Sequence, residues 1–361
     1  MPLETYANMP AIARGQELQP QGRERRAIKR LLVCLASLFW LAGPLACTQA
    51  PASWHDPSPH RVQFVTVEQG VQLEVLDWGG SGRNVVLLAG SGNTAHVFDE
   101  FAPQLAAFCH VYGITRRGFG VSSHPDTGYT EERLADDILQ VLDSLKLAKP
   151  VLAGHSMAGG EMTMLATQHP DRLAGLVFLD AARDPNRDYS EISRKMSSAH
   201  LHPITPEDPE DNSFAAYRKW QIGRNRFAFP ESELRNEYET NPDGTKGKYR
   251  TDRKVFAAIG GAPHKREYSL IRVPVLAIFA VPGSAAQIIL RTYQFNTTDE
   301  RAPIEQAFTA IVNYIREDER SIQKCPAGVR VVELPGSDHY VFLANEQDVR
   351  RELRAFLAGL H

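Results

Sequence analysis

Ser156 sits in a run of small and apolar residues, Val151-Leu152-Ala153-Gly154-His155-Ser156-Met157-Ala158-Gly159-Gly160, that reads as a short strand turning sharply into a helix. A serine hydroxyl becomes a nucleophile when a base takes its proton and preorganised donors receive the charge developing on the attacked oxygen. A tight strand-to-helix turn serves that chemistry. It forces the serine backbone into a sparsely populated φ/ψ region, tolerable where neighbouring residues lack bulk, and Gly154, Ala158 and Gly159 meet that demand. The turn also lifts the hydroxyl clear of the sheet and leaves the Met157 N–H, at the helix entry, available to a developing oxyanion. The pattern G-x-S-x-G is met except at its fifth place, where Ala158 adds one methyl group.

A second apolar strand ending in small residues stands upstream, Val85-Val86-Leu87-Leu88-Ala89-Gly90-Ser91-Gly92, and a third segment reads Gly113-Ile114-Thr115-Arg116-Arg117-Gly118-Phe119-Gly120-Val121-Ser122-Ser123. With the serine turn, these segments resemble the α/β-hydrolase family. There the loop after the third strand usually reads His-Gly-x and gives the second oxyanion N–H. Here it reads Ala89-Gly90-Ser91, so the resemblance implies Ser91 as that donor, with the histidine lost and the backbone group kept. The third segment is similar to the family's Asp-x-Arg-Gly-x-Gly-x-Ser turn, with Thr115 in place of aspartate and Arg117, Gly118 and Gly120 retained. Near the C-terminus a strand signal, 329–334, leads into Gly336-Ser337-Asp338-His339-Tyr340, where the family keeps its general base. His339 fits the chain order serine, acid, histidine. His155, beside the nucleophile, is expected to pack under the turn.

Many family members carry the acid just after the penultimate strand, here Val273 to Ala280, but no Asp or Glu lies between Val281 and Thr298. Asp180, ending the strand Leu176-Val177-Phe178-Leu179, occupies a place that some α/β-hydrolases use instead. It is the expected third member, with Asp184, Asp299 and Glu300 as alternatives and Asp338 less suited, since its neighbour His339 would point the other way. Serine at the turn favours acyl transfer to water, because relatives that open epoxides or remove halide place aspartate there.

Composition sets the outer bounds. The 361 residues are 43% hydrophobic with a formal net charge of −3, a globular composition without a basic stripe for nucleic acid. Neither a phosphate-cradling G-x-x-x-x-G-K loop nor an H-E-x-x-H or Cys/His metal signature is present, so no cofactor is expected. The N-terminus reads separately. Arg23, Arg25, Arg26, Lys29 and Arg30 precede an apolar stretch, 31–42, that is too short to span a bilayer comfortably and is followed by Pro44. Residues 1–50 are therefore expected to be an export signal and leader, with a retained signal anchor as the alternative. Leu45-Ala46-Cys47 resembles a bacterial lipoprotein cleavage site, which would make Cys47 a lipidation site and attach the protein to the membrane; ordinary cleavage, for instance after Ala50, would leave it periplasmic or secreted. Cys109 and Cys325 precede strands that the hydrolase topology sets far apart, so no disulfide is expected between them.

Strand signals near 63–67, 71–76, 84–89, 110–114, 150–153, 175–179, 274–280 and 329–334 predict eight strands, the first two forming a hairpin around Gln69-Gly70. Helical periodicity separates the later ones. Leu134, Ile138, Val141, Leu142 and Leu145 share one face behind a Thr130 cap, and Val349, Leu353, Phe356 and Leu357 share another. Such alternation predicts a mostly parallel sheet with helices on both faces and ligands at the carboxyl ends of the strands. Residues 51–182 and 271–361 would form this α/β-hydrolase core. Residues 183–270, polar, Pro-rich and carrying Phe214, Tyr217, Trp220, Phe227 and Phe229, would be an inserted helical cap. The expected activity is a serine hydrolase cleaving a small carboxylic ester or related acyl compound through Ser156, as a monomer or homodimer. Perhydrolase, carbon–carbon hydrolase or aminopeptidase activity, or a binding protein that lost turnover, are the alternatives.

Overall fold

The parallel sheet that the alternating pattern predicts is the centre of the molecule. A computed structural model of the protein describes residues 54–198, 202–203, 211–261, 264–289, 293–294 and 298–360. The expected export signal and the expected Cys47 lipidation site lie outside these residues. Eight strands form one sheet: β1 (Arg61–Glu68), β2 (Val71–Gly79), β3 (Asn84–Leu88), β4 (His110–Ile114), β5 (Val151–His155), β6 (Gly175–Leu179), β7 (Val275–Val281) and β8 (Val329–Pro335). Their order across the sheet is β1-β2-β4-β3-β5-β6-β7-β8. β2 runs antiparallel to β1 and β4, and every other adjacent pair is parallel.

Parallel strands covered on both faces read as continuous apolar runs, and β5, β6 and β7 are buried along their whole length. Alternate side chains feed two cores. Val86, Leu88, Leu152, Leu176, Phe178, Val275 and Ala277 pack on one face against helices α1 (Glu131–Ser144) and α2 (Ala158–Gln168). Val85, Leu87, Val151, Ala153, Val177, Leu179, Leu276 and Ile278 pack on the other with Phe98, Phe101 and Phe342. Thr130 caps α1 through the Arg133 N–H, as the sequence predicts, and Leu134, Ile138, Val141 and Leu142 are buried.

Between β6 and β7 the chain leaves the sheet for α3 (Ser190–Ser198), α4 (Phe214–Asn225), α5 (Glu231–Glu237), a small hairpin (Tyr238–Thr240 with Lys246–Tyr249) and α6 (Arg253–Gly260). Parts of this excursion rest on the loop after β3: the Tyr249 hydroxyl donates to Gly92 O at 2.6 Å and the Ser232 hydroxyl to Asp99 Oδ2 at 2.6 Å. A second excursion follows β7 and contains α7 (Thr298–Ile322), and α8 (Glu346–Ala358) returns to the sheet, burying Val349, Leu353 and Leu357. Cys109 and Cys325 are free and buried. No helix among the described residues is long and apolar enough to cross a membrane.

Candidate active site

The turn after β5 holds Ser156 at φ 54°, in the left-handed region that a residue with a Cβ enters only at a cost of order 1–3 kcal/mol. Its surroundings make that backbone possible. A Cβ on Gly159 would stand 2.0 Å from Ala181 O, in the loop after β6, and one on Gly154 would meet Met162 Sδ at 2.8 Å, so the β6 loop keeps Gly159 small and α2 keeps Gly154 small. The Ser156 N–H reaches Leu179 O at 3.4 Å, and Gly159 N–H donates to Ser156 O at 3.1 Å.

Asp180 repeats the conformation, at φ 50°, one residue beyond β6. Its Oδ1 accepts from Ala280 N–H at 3.0 Å and from Arg183 Nη2 at 2.6 Å. Its Oδ2 accepts from His339 Nδ1 at 2.6 Å. Burial alone would raise this carboxyl; the Arg183 charge, the His339 ring and the Ala280 N–H outweigh it and hold the pKa at about 2. An ionised carboxylate only accepts, so Nδ1 of His339 carries the hydrogen and Nε2 of the neutral ring carries the lone pair. Nε2 of His339 and Oγ of Ser156 are both buried, and among the described residues neither makes a hydrogen bond.

His155 lies under the turn, its ring centroid 4.4 Å from that of His339. Its Nε2 donates to the His339 carbonyl at 3.1 Å, which fixes the His339 loop to the strand that carries the serine. Burial, reinforced by the neighbouring His339, pushes the His155 pKa well below its usual value and keeps the ring neutral. Its Nδ1 faces Gly90, where a Cβ would lie 2.7 Å away.

Ser91 and Met157 follow β3 and β5, which are neighbours in the sheet. Among the described residues no acceptor takes either N–H. Arg116 supports this end of the β3 loop, donating from Nη2 to Ala89 O at 2.9 Å while its guanidinium grips Glu161 of α2 through two bonds. Thr115, standing where the family pattern has aspartate, accepts from Ala95 N–H at 2.9 Å and donates to Glu74 Oε2 at 2.7 Å. Thr115 thus links the Ala95 N–H to the Glu74 carboxylate of β2. Arg117 is buried against Asp137.

The alternatives for the acid are placed elsewhere. Asp184 accepts from Asn186 N–H, and Asp299 and Glu300 lie in the first turn of α7. Sequence spacing gave no notice of Arg183, Arg116 with Glu161, or His155 as a tether; of these only Arg183, three residues past Asp180, stands where local sequence could have suggested it. A cluster of Asp56, His60, His96 and Asp99 offers one ligand atom per residue within 4.8 Å of one another, a spacing that could hold a metal ion. Its donors are already turned on one another. Asp99 accepts from Ser58, His60 and Trp78 on Oδ1 and from His96 and Ser232 on Oδ2, leaving its carboxylate saturated. His96, despite burial, is raised to about 10 by Asp99 and Glu74 and forms the cation of this network.

Residues 85–352 match the model of the alpha/beta hydrolase family. A provisionally named carbamate hydrolase of Caulobacter vibrioides is 32% identical over 154 residues, covering 42% of this chain and 55% of that protein. A 2-hydroxymuconate semialdehyde hydrolase of a Pseudomonas species is 30% identical over 120 residues, covering 32% of this chain and 42% of that one. The chain spans about half or less of the length of the curated relatives it matches. Among solved structures, E-2-(acetamidomethylene)succinate hydrolase superposes with a TM-score of 0.59 at 18% identity, covering 83% of this chain and all of that one, a likeness of fold.

Proposed function

The chain belongs to the alpha/beta hydrolase family, and we propose that it is a serine hydrolase cleaving a small carboxylic ester or related acyl compound. The observation that carries this reading is the His339 to Asp180 hydrogen bond of 2.6 Å, which in the neutral ring leaves Nε2 free to take a proton, on a loop tethered to the serine strand.

In this reading His339 Nε2 takes the Ser156 proton as Oγ attacks the acyl carbon, and Asp180 stabilises the imidazolium that results. The carbonyl oxygen becomes an oxyanion held by the Ser91 and Met157 N–H groups, which need no reorganisation at that moment because the sheet already fixes both loops. His339 then returns the proton to the leaving group. Water, deprotonated by the same nitrogen, attacks the acyl-enzyme and releases the acid. The excursion over 183–270 is read as a cap over this end of the sheet, supported by its hydrogen bonds to the β3 loop.

Carbon–carbon hydrolysis is the second reading, favoured by the likeness to a 2-hydroxymuconate semialdehyde hydrolase. A fluorophosphonate probe tests the nucleophile. It should label wild type and not Ser156→Ala, and p-nitrophenyl acetate should give a burst of one equivalent. An unlabelled, well-folded wild type would defeat the proposal. A panel of esters, thioesters, lactones, amides, carbamates and vinylogous diketones would then sort the substrate class. We further propose export directed by residues 1–50, tested by cell fractionation of wild type against a variant lacking them, and lipidation at Cys47, tested by whether radiolabelled palmitate enters wild type and not Cys47→Ser.

A further inference from the structure

Helix α5 buries two carboxylates, Glu233 and Glu237, against the loop that follows β3. They meet Asn93 and Thr94, two and three residues past Ser91. Glu233 Oε1 accepts from Thr94 N–H and from Asn93 Nδ2, each at 2.9 Å, and its Oε2 accepts from the Thr94 hydroxyl. Glu237 Oε1 accepts from Asn93 Nδ2 at 3.0 Å. On the opposite side Asn93 Oδ1 accepts from the hydroxyl of Tyr340, the neighbour of His339, at 2.9 Å. One buried amide therefore joins the Ser91 loop, the His339 loop and α5.

Two buried carboxylates in contact cannot both be ionised. The donors decide which one holds the proton. Both oxygens of Glu233 face donors, so Glu233 is the anion, whereas Glu237 hydrogen-bonds Glu233 and is the group with a proton to give. Burial raises both carboxyls, Glu233 to about 7 and Glu237 well above the usual range, the latter pushed further by the Glu233 charge. This pair also fixes the direction of the amide. A flipped Asn93 would set its carbonyl oxygen against the Glu233 carboxylate and lose the NH2 donations to both Glu233 and Glu237.

We propose that Asn93 is a positioning residue that holds the Ser91 N–H in register with His339, and that the Glu233 carboxylate with the Glu237 carboxylic acid locks its amide in the working orientation. The inference rests on the serine-hydrolase reading for its catalytic consequence and on the donors around Glu233 for its proton assignment.

The test compares Asn93→Ala, Glu233→Gln, Glu237→Ala and Glu237→Gln with wild type, each checked for native circular dichroism. Gln at 237 can accept from Asn93 and donate to Glu233 as the acid does; Gln at 233 must point an NH2 group at the Thr94 or Asn93 donors. On p-nitrophenyl acetate, Asn93→Ala, Glu233→Gln and Glu237→Ala should lose about 10- to 100-fold in kcat, the scale of a misplaced catalytic group, with KM little changed. Affinity for a phenylboronic acid, which mimics the oxyanion, should fall in parallel, and Glu237→Gln should recover most of what Glu237→Ala loses. Equal damage from the two glutamine variants, or an Asn93→Ala enzyme with wild-type kcat, overturns the proposal. Infrared difference spectra, wild type minus Glu237→Gln, should show the band of a protonated carboxyl. Its absence overturns the proton assignment, and its presence in a protein that fluorophosphonate does not label would isolate the failure to the hydrolase reading.

Discussion

His339 Nδ1 and Asp180 Oδ2 lie 2.6 Å apart although 159 residues of chain separate them. The two loops meet because β6, β7 and β8 are consecutive in the sheet, so that an acid after β6 needs to reach across only one strand to a histidine after β8. Replacing Asp180 by Asn should lower kcat by about four orders of magnitude, since the amide favours the wrong imidazole tautomer and cannot stabilise its cation. Asp299→Asn should turn over as wild type does. Steady-state rates on p-nitrophenyl acetate decide it, and a severe loss in Asp299→Asn alone would move the acid to α7.

Acid stability should report the same carboxylate. Asp180 is held at about 2 against the usual aspartate value of about 3.9, so the folded form binds its proton later than the unfolded chain as pH falls. The stabilisation, about 2–3 kcal/mol, is complete above the unfolded value and vanishes as pH drops through the folded one. Urea midpoints of wild type and Asp180→Asn should therefore converge between roughly pH 5 and pH 2. A constant gap over that range would contradict the assignment.

His155 predicts a second pH dependence of different origin. Its ring is kept neutral by burial, while in the unfolded chain it titrates near 6.5, so folding opposes protonation. Stability should fall as pH drops below that value, by about 1.4 kcal/mol per pH unit for one proton. A His155→Gln protein keeps a donor for the His339 carbonyl and loses this slope. Chemical denaturation at a series of pH values between about 7 and 5 measures it as the change in the wild type minus variant difference.

Gly159→Ala should destabilise the protein by about 1–3 kcal/mol and reduce turnover as well, because the added methyl would drive into the Ala181 carbonyl at 2.0 Å and displace the serine turn. Ala158→Gly, which restores the usual fifth residue of the turn pattern, should keep wild-type turnover. Thermal midpoints together with burst amplitudes distinguish the two, and an unperturbed Gly159→Ala would show that the β5 and β6 loops have room to separate.

What was legible in the sequence is what depends on neighbours along the chain. Apolar runs of strand length, the Thr130 cap, the period of Val349, Leu353 and Leu357, and the small residues around Ser156 are each set by local sterics and periodicity, and the structure forms those elements. Partners brought from far away carry no such signature. Nothing in the spacing of Asp180 says whether its carboxylate faces His339 or a loop amide, and nothing in Asn93, Glu233 or Glu237 announces that α5 sets them against one another. Those relationships arise when the parallel sheet stacks its loop ends side by side, and burial then makes every polar group there find a partner, because an unpaired one would cost its full desolvation. The sequence by itself determined which residues could act; the order of the strands decided which of them meet.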